Sequence, residues 1–190
     1  MTKITLLTPC LNPKKDNFIA LFNSIKNQLE LPYQWIIIDG GSNEDIRNFI
    51  KKVCSTINLN IEFIDLKGSN IYSALNFGIE NCKSDYYLTI GCDDILEKMS
   101  LNLFSSQIKE NTDIAVANVK KGSKFITVNK IIPNFINYFG ATKIVTNHSV
   151  GCLIRKSLHN QLGLYDTKYK YLADEEFLLK AYLKKYNFQI

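Results

Sequence analysis

The sequence has little of several residue types that mark particular classes of protein. Its 190 residues include only 9 glycines and 4 prolines, which argues against a low-complexity or collagen-like chain. The five cysteines form no CxxC pair, so a zinc site is disfavoured. One of the longest charge-free apolar stretches, residues 131–142, includes Pro133 and two asparagines and is too short and too polar to span a bilayer.

Arginine is also scarce. Arg47 and Arg155 stand beside 21 lysines, and because proteins that read nucleic-acid bases favour arginine, we expect no nucleic-acid partner. The net charge of +5 is uneven: residues 1–95 carry 9 basic and 11 acidic groups (−2), whereas residues 96–190 carry 14 and 7 (+7). A lysine-rich second half suits a phosphate-bearing ligand or an anionic membrane surface, although an ordinary solvated surface is equally consistent with it.

The cysteine count and the start of the chain bear on location. The number of cysteines is odd, and a strand-like run directly follows Met1-Thr2-Lys3, so we expect no signal peptide. Both features predict reduced thiols and a cytoplasmic protein. At 46% hydrophobic and 22% charged residues, the composition is that of an ordinary globular domain.

Strand and helix patterns alternate along the first half of the chain. Short apolar runs occupy residues 4–8, 35–38, 61–64 and 86–90, and apolar residues spaced three or four apart lie between them. This alternation predicts an α/β fold with a mostly parallel central sheet flanked by helices. In the second half, residues 114–119, 125–128 and 150–154 read as strands, and a last helix begins at about Asp174.

Polar residues cluster where the four predicted strands end. The clusters are Thr8-Pro9, Asp39-Gly40-Gly41, residues 65–70 and Asp93-Asp94. Ligands of open parallel sheets bind beyond the carboxyl ends of the strands, so these clusters predict the binding edge. The sequence contains no GxGxxG fingerprint, no P-loop and no GxSxG motif, which disfavours a dinucleotide-binding Rossmann domain, a P-loop NTPase and an α/β-hydrolase.

Several candidate residues have a plain structural explanation beside the functional one. Asp93 and Asp94 suit a hard divalent cation or a nucleotide, but such a pair also caps helices. Asp39 before two glycines suits a ligand site or a simple turn. Asp174 is a candidate base, although acidic residues in a first helical turn also interact favourably with the helix dipole. His148 is a pocket candidate beside Asn147, whereas His159, among polar residues, is predicted to lie at the surface.

Taken together, the motifs resemble family 2 glycosyltransferases of the GT-A fold, over nearly the whole chain. The resemblance lies in the order of five segments: Thr8-Pro9 with Asn12, residues 35–42 (WIIIDGGS), residues 70–78 (NIYSALNFG), residues 91–94 (GCDD), and His148 through residues 163–166 (GLYD) to residues 173–177 (ADEEF). The subgroup that the chain most resembles makes bacterial capsule, exopolysaccharide or lipopolysaccharide chains.

The resemblance implies a metal-dependent, inverting, hexosyl-type transferase that uses a nucleotide-sugar such as a UDP-sugar. By resemblance, Thr8, Pro9, Asp39 and Gly40 line the nucleotide, Asp93 lies near the ribose or sugar, and Asp94 holds Mg²⁺ or Mn²⁺ against the diphosphate. Asp174 aligns with the catalytic base, and His148 with a histidine near the diphosphate or acceptor. The expected acceptor is a glycan or a lipid-linked glycan, with peripheral contact at the cytoplasmic face of the inner membrane.

The resemblance also implies a domain plan and reveals departures. Residues 1–190 are expected to form a single GT-A domain, with a nucleotide-binding half (1–95) and an acceptor and catalytic half (96–190) that lacks the C-terminal extension of relatives. Gly68 and Ser73 stand where relatives often carry acids, with Asp65 or Lys67 as substitutes. A non-catalytic nucleotide-sugar-binding or assembly subunit is the alternative. A nucleotidyltransferase is disfavoured because residues 8–15 contain no glycine.

Overall fold

The computed structural model describes residues 2–122, the backbone of 124–126, and residues 149–190. The chain forms nine strands and six α-helices over these ranges, with one 3-10 turn at Lys156–Leu158. The strands are β1 (Ile4–Cys10), β2 (Gln34–Asp39), β3 (Ile61–Asp65), β4 (Tyr86–Thr89), β5 (Ile114–Val116), β6 (Val119–Lys121), β7 (Lys124–Ile126), β8 (Cys152–Arg155) and β9 (Phe188–Gln189). The helices are α1 (Lys15–Lys26), α2 (Glu44–Cys54), α3 (Ile71–Asn81), α4 (Ser100–Gln107), α5 (His159–Leu162) and α6 (Ala173–Leu183).

Seven strands form one mixed sheet in the order β3-β2-β1-β4-β8-β5-β9. The first four strands of this order are mutually parallel, as the alternating pattern predicts, and β8 pairs antiparallel with both β4 and β5. β6 and β7 form a separate antiparallel ribbon. The predicted strand 114–119 is therefore interrupted, because the chain leaves the main sheet after Val116 and enters the ribbon at Val119.

Both faces of the sheet are apolar, which explains the unbroken hydrophobic runs. Alternate residues of β2 point to opposite faces: Trp35 and Ile37 pack with α1 and α2, whereas Ile36 and Ile38 pack with α3 and α6. Gly78 of α3 lies close to the sheet, since an added Cβ would come within 3.1 Å of Leu7 and Ile38 side-chain atoms. The helices therefore cover the sheet on both sides, and functional groups are left to its edges.

The structure corrects one histidine prediction. His159 is not at the surface but 7% exposed, at the start of α5, because α6 and β4 pack over its ring. The five cysteines, all within the described residues, are free. No helix in the part of the chain that the structure describes is long and apolar enough to cross a membrane.

Candidate functional site

Three buried side-chain oxygens have no hydrogen-bond partner among the described residues, and all three lie at the carboxyl edge of the parallel strands. They are Asp39 Oδ1 at the end of β2, Ser69 Oγ in the loop after β3, and Thr89 Oγ1 at the end of β4. Leaving a buried polar atom unpaired costs about 1–3 kcal/mol. Three such atoms at one edge indicate a place where a bound molecule supplies the missing partners.

Asp39 is held by its own turn. Its side chain is fully buried, and Oδ2 accepts hydrogen bonds from the backbone N–H groups of Ser42 at 2.9 Å and Gly41 at 3.3 Å. Gly41 adopts φ +113°, a conformation that side chains other than glycine rarely take. The turn thus binds one carboxylate oxygen and leaves the other, Oδ1, without a partner from the described residues.

Two further residues of the sequence prediction lie beside this turn. The Gly40 N–H donates to the Cys10 carbonyl at 2.8 Å, which joins the ends of β1 and β2, and a Cβ at Gly40 would make only ordinary contacts. Lys67 lies against Gly41, with Cγ 3.1 Å from the position of an added Cβ. Asp65 is already paired with Arg47. Both proposed substitutes therefore lie near the turn, since Asp65 is also the register partner of Asp39, but the carboxylate of Asp65 is engaged by Arg47.

Thr8 and Pro9 end β1 in different environments. Thr8 is fully buried, and its Oγ1 accepts a hydrogen bond from the Trp35 indole at 2.9 Å. Its hydroxyl is thus committed to the core. Pro9 is partly exposed and lines a cleft. Contact of either residue with a nucleotide stays a prediction.

The two acidic residues after β4 converge over a glycine. A Cβ added at Gly91 would lie 2.9 Å from Asp94 Oδ2 and 3.1 Å from Asp93 Oδ1, and the Gly91 N–H donates to Asp94 Oδ2 at 2.8 Å. Over the described ranges no group of three or more His, Cys, Asp or Glu side chains could hold a metal ion. Mg²⁺, however, commonly takes one or two carboxylates and completes its shell with substrate phosphates. The oxygen-only pair at Gly91 fits such an ion.

A cleft of about 310 Å³ brings the strand ends together with the last helix. Its lining includes three predicted site residues from distant parts of the chain: Pro9, Asp94 and Asp174. A neighbouring cleft of about 390 Å³ is lined by Asp93 and shares Asp94 and Thr89 with the first. Asp94 therefore lies where the two clefts meet.

Asp174 lies in the first turn of α6, and two donors hold its carboxylate. Tyr72 Oη donates to Oδ1 at 2.9 Å, and the Ser149 N–H donates to Oδ2 at 3.2 Å. Burial of the Tyr72 hydroxyl and its hydrogen bond to this carboxylate both raise the pKa of Tyr72, to about 12. The phenol therefore keeps its proton near neutral pH and remains a donor.

The two histidines differ in what the structure says of them. His148 lies outside the described residues, so its predicted role stays a prediction. Burial lowers the pKa of His159 to about 4, so the ring is neutral near pH 7. Its Nδ1 donates to the Gly163 carbonyl at 3.0 Å, and its Nε2 accepts from Tyr87 Oη at 2.7 Å. Tyr165 Oη in turn donates to Tyr87 at 2.9 Å, which completes a buried network.

The sequence did not single out four residues of this region, Ser69, Tyr72, Thr89 and Ser149, although Ser69 lies within the predicted cluster 65–70. Tyr72 lies within the quoted segment 70–78, but a tyrosine on an apolar helix face is indistinguishable from a core residue. The other three are small polar residues at the ends of strands or loops. Only their position at the edge of the sheet distinguishes them from the many other serines and threonines.

Comparison with known proteins places these observations in context. A profile of the family described as "Glycosyl transferase family 2" matches residues 5–163. Among curated proteins, the teichoic acid poly(glycerol phosphate) polymerase of Staphylococcus epidermidis is 22% identical over 142 residues, which cover 72% of this chain and 19% of the polymerase.

Solved structures share the fold. The S. aureus protein TarS, residues 1–349, in complex with UDP has a TM-score of 0.73 and 16% identity, over 98% of this chain and 56% of that chain. The mannosyltransferase PcManGT from Pyrobaculum calidifontis, in complex with GDP-Man and Mn²⁺, has a TM-score of 0.75 and 14% identity, over 99% and 54%. The chain thus spans about half the length of these two structures and about a fifth of the polymerase.

Proposed function

The chain belongs to glycosyl transferase family 2 and has the GT-A fold, and we propose that it is an inverting glycosyltransferase that uses a UDP-sugar. The sugar passes to a hydroxyl of a glycan or lipid-linked acceptor. We further propose that residues 1–190 act as one domain, with residues 1–95 binding the nucleotide and residues 96–190 supplying the base and the acceptor site.

The observation that carries this proposal is the set of three buried oxygens at the strand ends that have no partner among the described residues. A nucleoside diphosphate offers N–H and hydroxyl donors, which are the partners that these oxygens lack. In the proposed complex, Asp39 Oδ1 accepts the uracil N–H, while Thr8, Pro9 and Gly40 form the adjoining strand-end backbone. Ser69 and Thr89 accept from ribose or sugar hydroxyls, and Asp93 lies near the ribose.

Asp94, with Asp93 beside it, would hold Mg²⁺ or Mn²⁺ against the diphosphate. Such an ion stabilises the negative charge that develops on the leaving group. The mannosyltransferase PcManGT, which has a similar fold, was solved with Mn²⁺, and this supports the choice of cation. The carboxylate oxygens of Asp93 and Asp94 are the type of ligand that these hard cations prefer.

Asp174 is the proposed general base. Its carboxylate removes the proton from the acceptor hydroxyl while that oxygen forms a bond to the anomeric carbon from the face opposite the nucleotide. The bond between the anomeric carbon and the diphosphate oxygen breaks in the same displacement, and UDP leaves with the electron pair. A single displacement inverts the configuration. Asp174 and Asp94 line the same cleft, as this reaction requires.

The acceptor enters past an exposed apolar rim of the same cleft. Ile71, Tyr171 and Leu172 line the cleft and are 51%, 68% and 57% exposed. Aromatic and apolar side chains beside carboxylates suit a sugar ring, which has one apolar face and several hydroxyls. The similarity to a teichoic acid polymerase supports a role in bacterial surface glycan synthesis. We propose that the protein acts in the cytoplasm, peripherally at the membrane.

Calorimetric titration of UDP and of GDP, with and without Mn²⁺, tests the donor site. We expect UDP to bind more tightly with Mn²⁺, and Asp94→Ala to abolish the metal-dependent part while a weaker metal-free affinity remains. Binding of neither nucleotide would reject the proposal. If UDP binds but the protein releases UDP from no UDP-sugar, the non-catalytic alternative is favoured.

A further inference from the structure

The carboxylate of Asp174 is held from outside its own helix. α6 begins after Leu172, which has a left-handed φ of 73° and provides no side-chain cap. The Tyr72 hydroxyl instead lies at this helix start: it donates to Asp174 Oδ1 at 2.9 Å, and the backbone N–H groups of Ala173 and Asp174 face the same phenol oxygen. One hydroxyl thus connects α3 to the start of α6.

Tyr72 is itself fixed by its surroundings. It is 5% exposed, and its ring lies 5.9 Å from that of Tyr165, centroid to centroid. α3 approaches the sheet closely at Gly78, and Asn70 caps the start of α3 by accepting from the Ser73 N–H at 2.8 Å. The position of the Tyr72 hydroxyl therefore follows from the packing of α3 on the sheet.

Together with the Ser149 N–H, Tyr72 gives each oxygen of Asp174 one donor. A carboxylate oxygen has two lone pairs, so each oxygen retains the capacity to accept one more proton. The two hydrogen bonds thus restrict rotation of the Asp174 side chain, and the carboxylate can still act as a base. For a reacting group, a misplacement of about 1 Å can cost about 10²-fold in rate.

We propose that Tyr72 is a positioning residue, which orients the Asp174 carboxylate for proton removal through the hydrogen bond from its hydroxyl. This inference rests on the proposed function of Asp174. A plain cap of α6 would use the same bond but would affect only stability. The experiment must therefore separate the rate of turnover from folding and from donor binding.

Tyr72→Phe removes the hydroxyl and keeps the ring. We expect kcat for UDP release from UDP-glucose or UDP-N-acetylglucosamine to fall about 10- to 100-fold. The KM for the donor and the calorimetric UDP affinity should change less than about twofold. The matched control is Tyr165→Phe, which removes a buried hydroxyl from the same cluster, one bonded to Tyr87 rather than to Asp174. It should lower thermal stability without lowering kcat more than about threefold.

The bond itself has a readout that does not need turnover. In protein labelled with ¹³Cζ-tyrosine, the Tyr72 resonance, assigned with Tyr72→Phe, should titrate near pH 12. In Asp174→Asn it should titrate closer to the ordinary value of 10, because the charged acceptor is gone. An unchanged titration would reject the hydrogen bond.

The outcomes distinguish the two proposals. A folded Tyr72→Phe protein with wild-type kcat would overturn the positioning role and leave the transferase function intact. An altered tyrosine titration in Asp174→Asn, with no turnover by the wild type, would reject the transferase function and reduce Tyr72 to a helix cap. In the Asp174→Asn protein, the further change Tyr72→Phe should not lower the residual turnover, because the side chain that Tyr72 orients there is no longer a base.

Discussion

The two ends of the site are held in different ways. Asp39 is bound within its own turn, by N–H groups two and three residues further along the chain, and one of its oxygens has no partner among the described residues. Asp174 is bound by Tyr72 and Ser149, which are 102 and 25 residues away, and both of its oxygens are engaged. The donor end is therefore formed locally and left with an open acceptor, whereas the base end is assembled from separate elements and held before any substrate binds.

This difference separates binding from catalysis. A buried acceptor that finds no partner in the described part of the chain can gain a hydrogen bond when a ligand binds, so changes at Asp39 should act on affinity. A base that already has its donors does its work in the transition state, so changes at Asp174 should act on rate. The following experiments test that division, starting with the largest expected effect.

Asp174→Asn should break the base end alone. We expect UDP release in the presence of acceptor to fall about 10²- to 10⁴-fold, the usual contribution of a general base. The amide keeps the size of the side chain and one oxygen acceptor, so calorimetric UDP affinity should stay within about twofold. An equal loss of affinity and turnover would mean that Asp174 belongs to the donor site instead.

Acid should lower the free energy of unfolding through His159, which packs against α6, the helix that carries Asp174. His159 stacks on Phe177 of α6 at a centroid distance of 4.3 Å, and burial lowers its pKa from 6.5 to about 4. As the pH falls below 6.5, the unfolded chain takes up a proton that the folded one does not. This site should therefore lower the free energy of unfolding by about 3 kcal/mol between pH 7 and pH 4.

Urea denaturation at several pH values measures this effect. His159→Gln does not titrate, so its free energy of unfolding should fall less steeply than that of the wild type over the same interval. Parallel slopes for the two proteins would mean that His159 takes up its proton in the folded state.

Asp39→Asn should break the donor end alone. Hydrogen bonds to a charged group contribute about 1.5–3 kcal/mol, so UDP affinity should fall about 10- to 100-fold. Asp65→Asn is a matched control, because Asp65 is the register partner of Asp39 on β3 and its carboxylate is already paired with Arg47. Calorimetry should find its UDP affinity nearly unchanged. Similar losses in both variants would point to a general effect of charge at this edge.

Tyr171→Ala should affect only the rim of the acceptor entrance. We expect the acceptor KM to rise about 3- to 10-fold, the loss of about 1 kcal/mol of aromatic contact. Tyr169→Ala provides the comparison: Tyr169 is 45% exposed and belongs to the same segment, but it does not line the cleft. Steady-state kinetics with varied acceptor should separate the two variants, and equal effects would argue against an acceptor site at this rim.

Local patterns predict much of the fold. The apolar runs, the three- or four-residue spacing between them and the polar clusters at the strand ends act over a few residues, so they predict the four parallel strands and the strand-end edge. Short motifs likewise predict Asp39, Asp94 and Asp174 as candidate site residues. The surface prediction for His159 was wrong because its polar neighbours in sequence are not its neighbours in space. The break after Val116 was missed because an apolar run does not show where a strand changes its partner.

The sequence by itself determined the α/β order, the candidate carboxylates and the edge at which they cluster, since these depend on interactions between residues close in the chain. Only the tertiary structure decided which of these carboxylates have donors. Tyr72, Ser149 and Asp174 meet because α3 and α6 pack on the same face of the sheet, and Asp94 joins them because β4 ends beside that face. A hydrogen bond across 102 residues depends on how whole elements pack, and no short pattern in the chain specifies that distance.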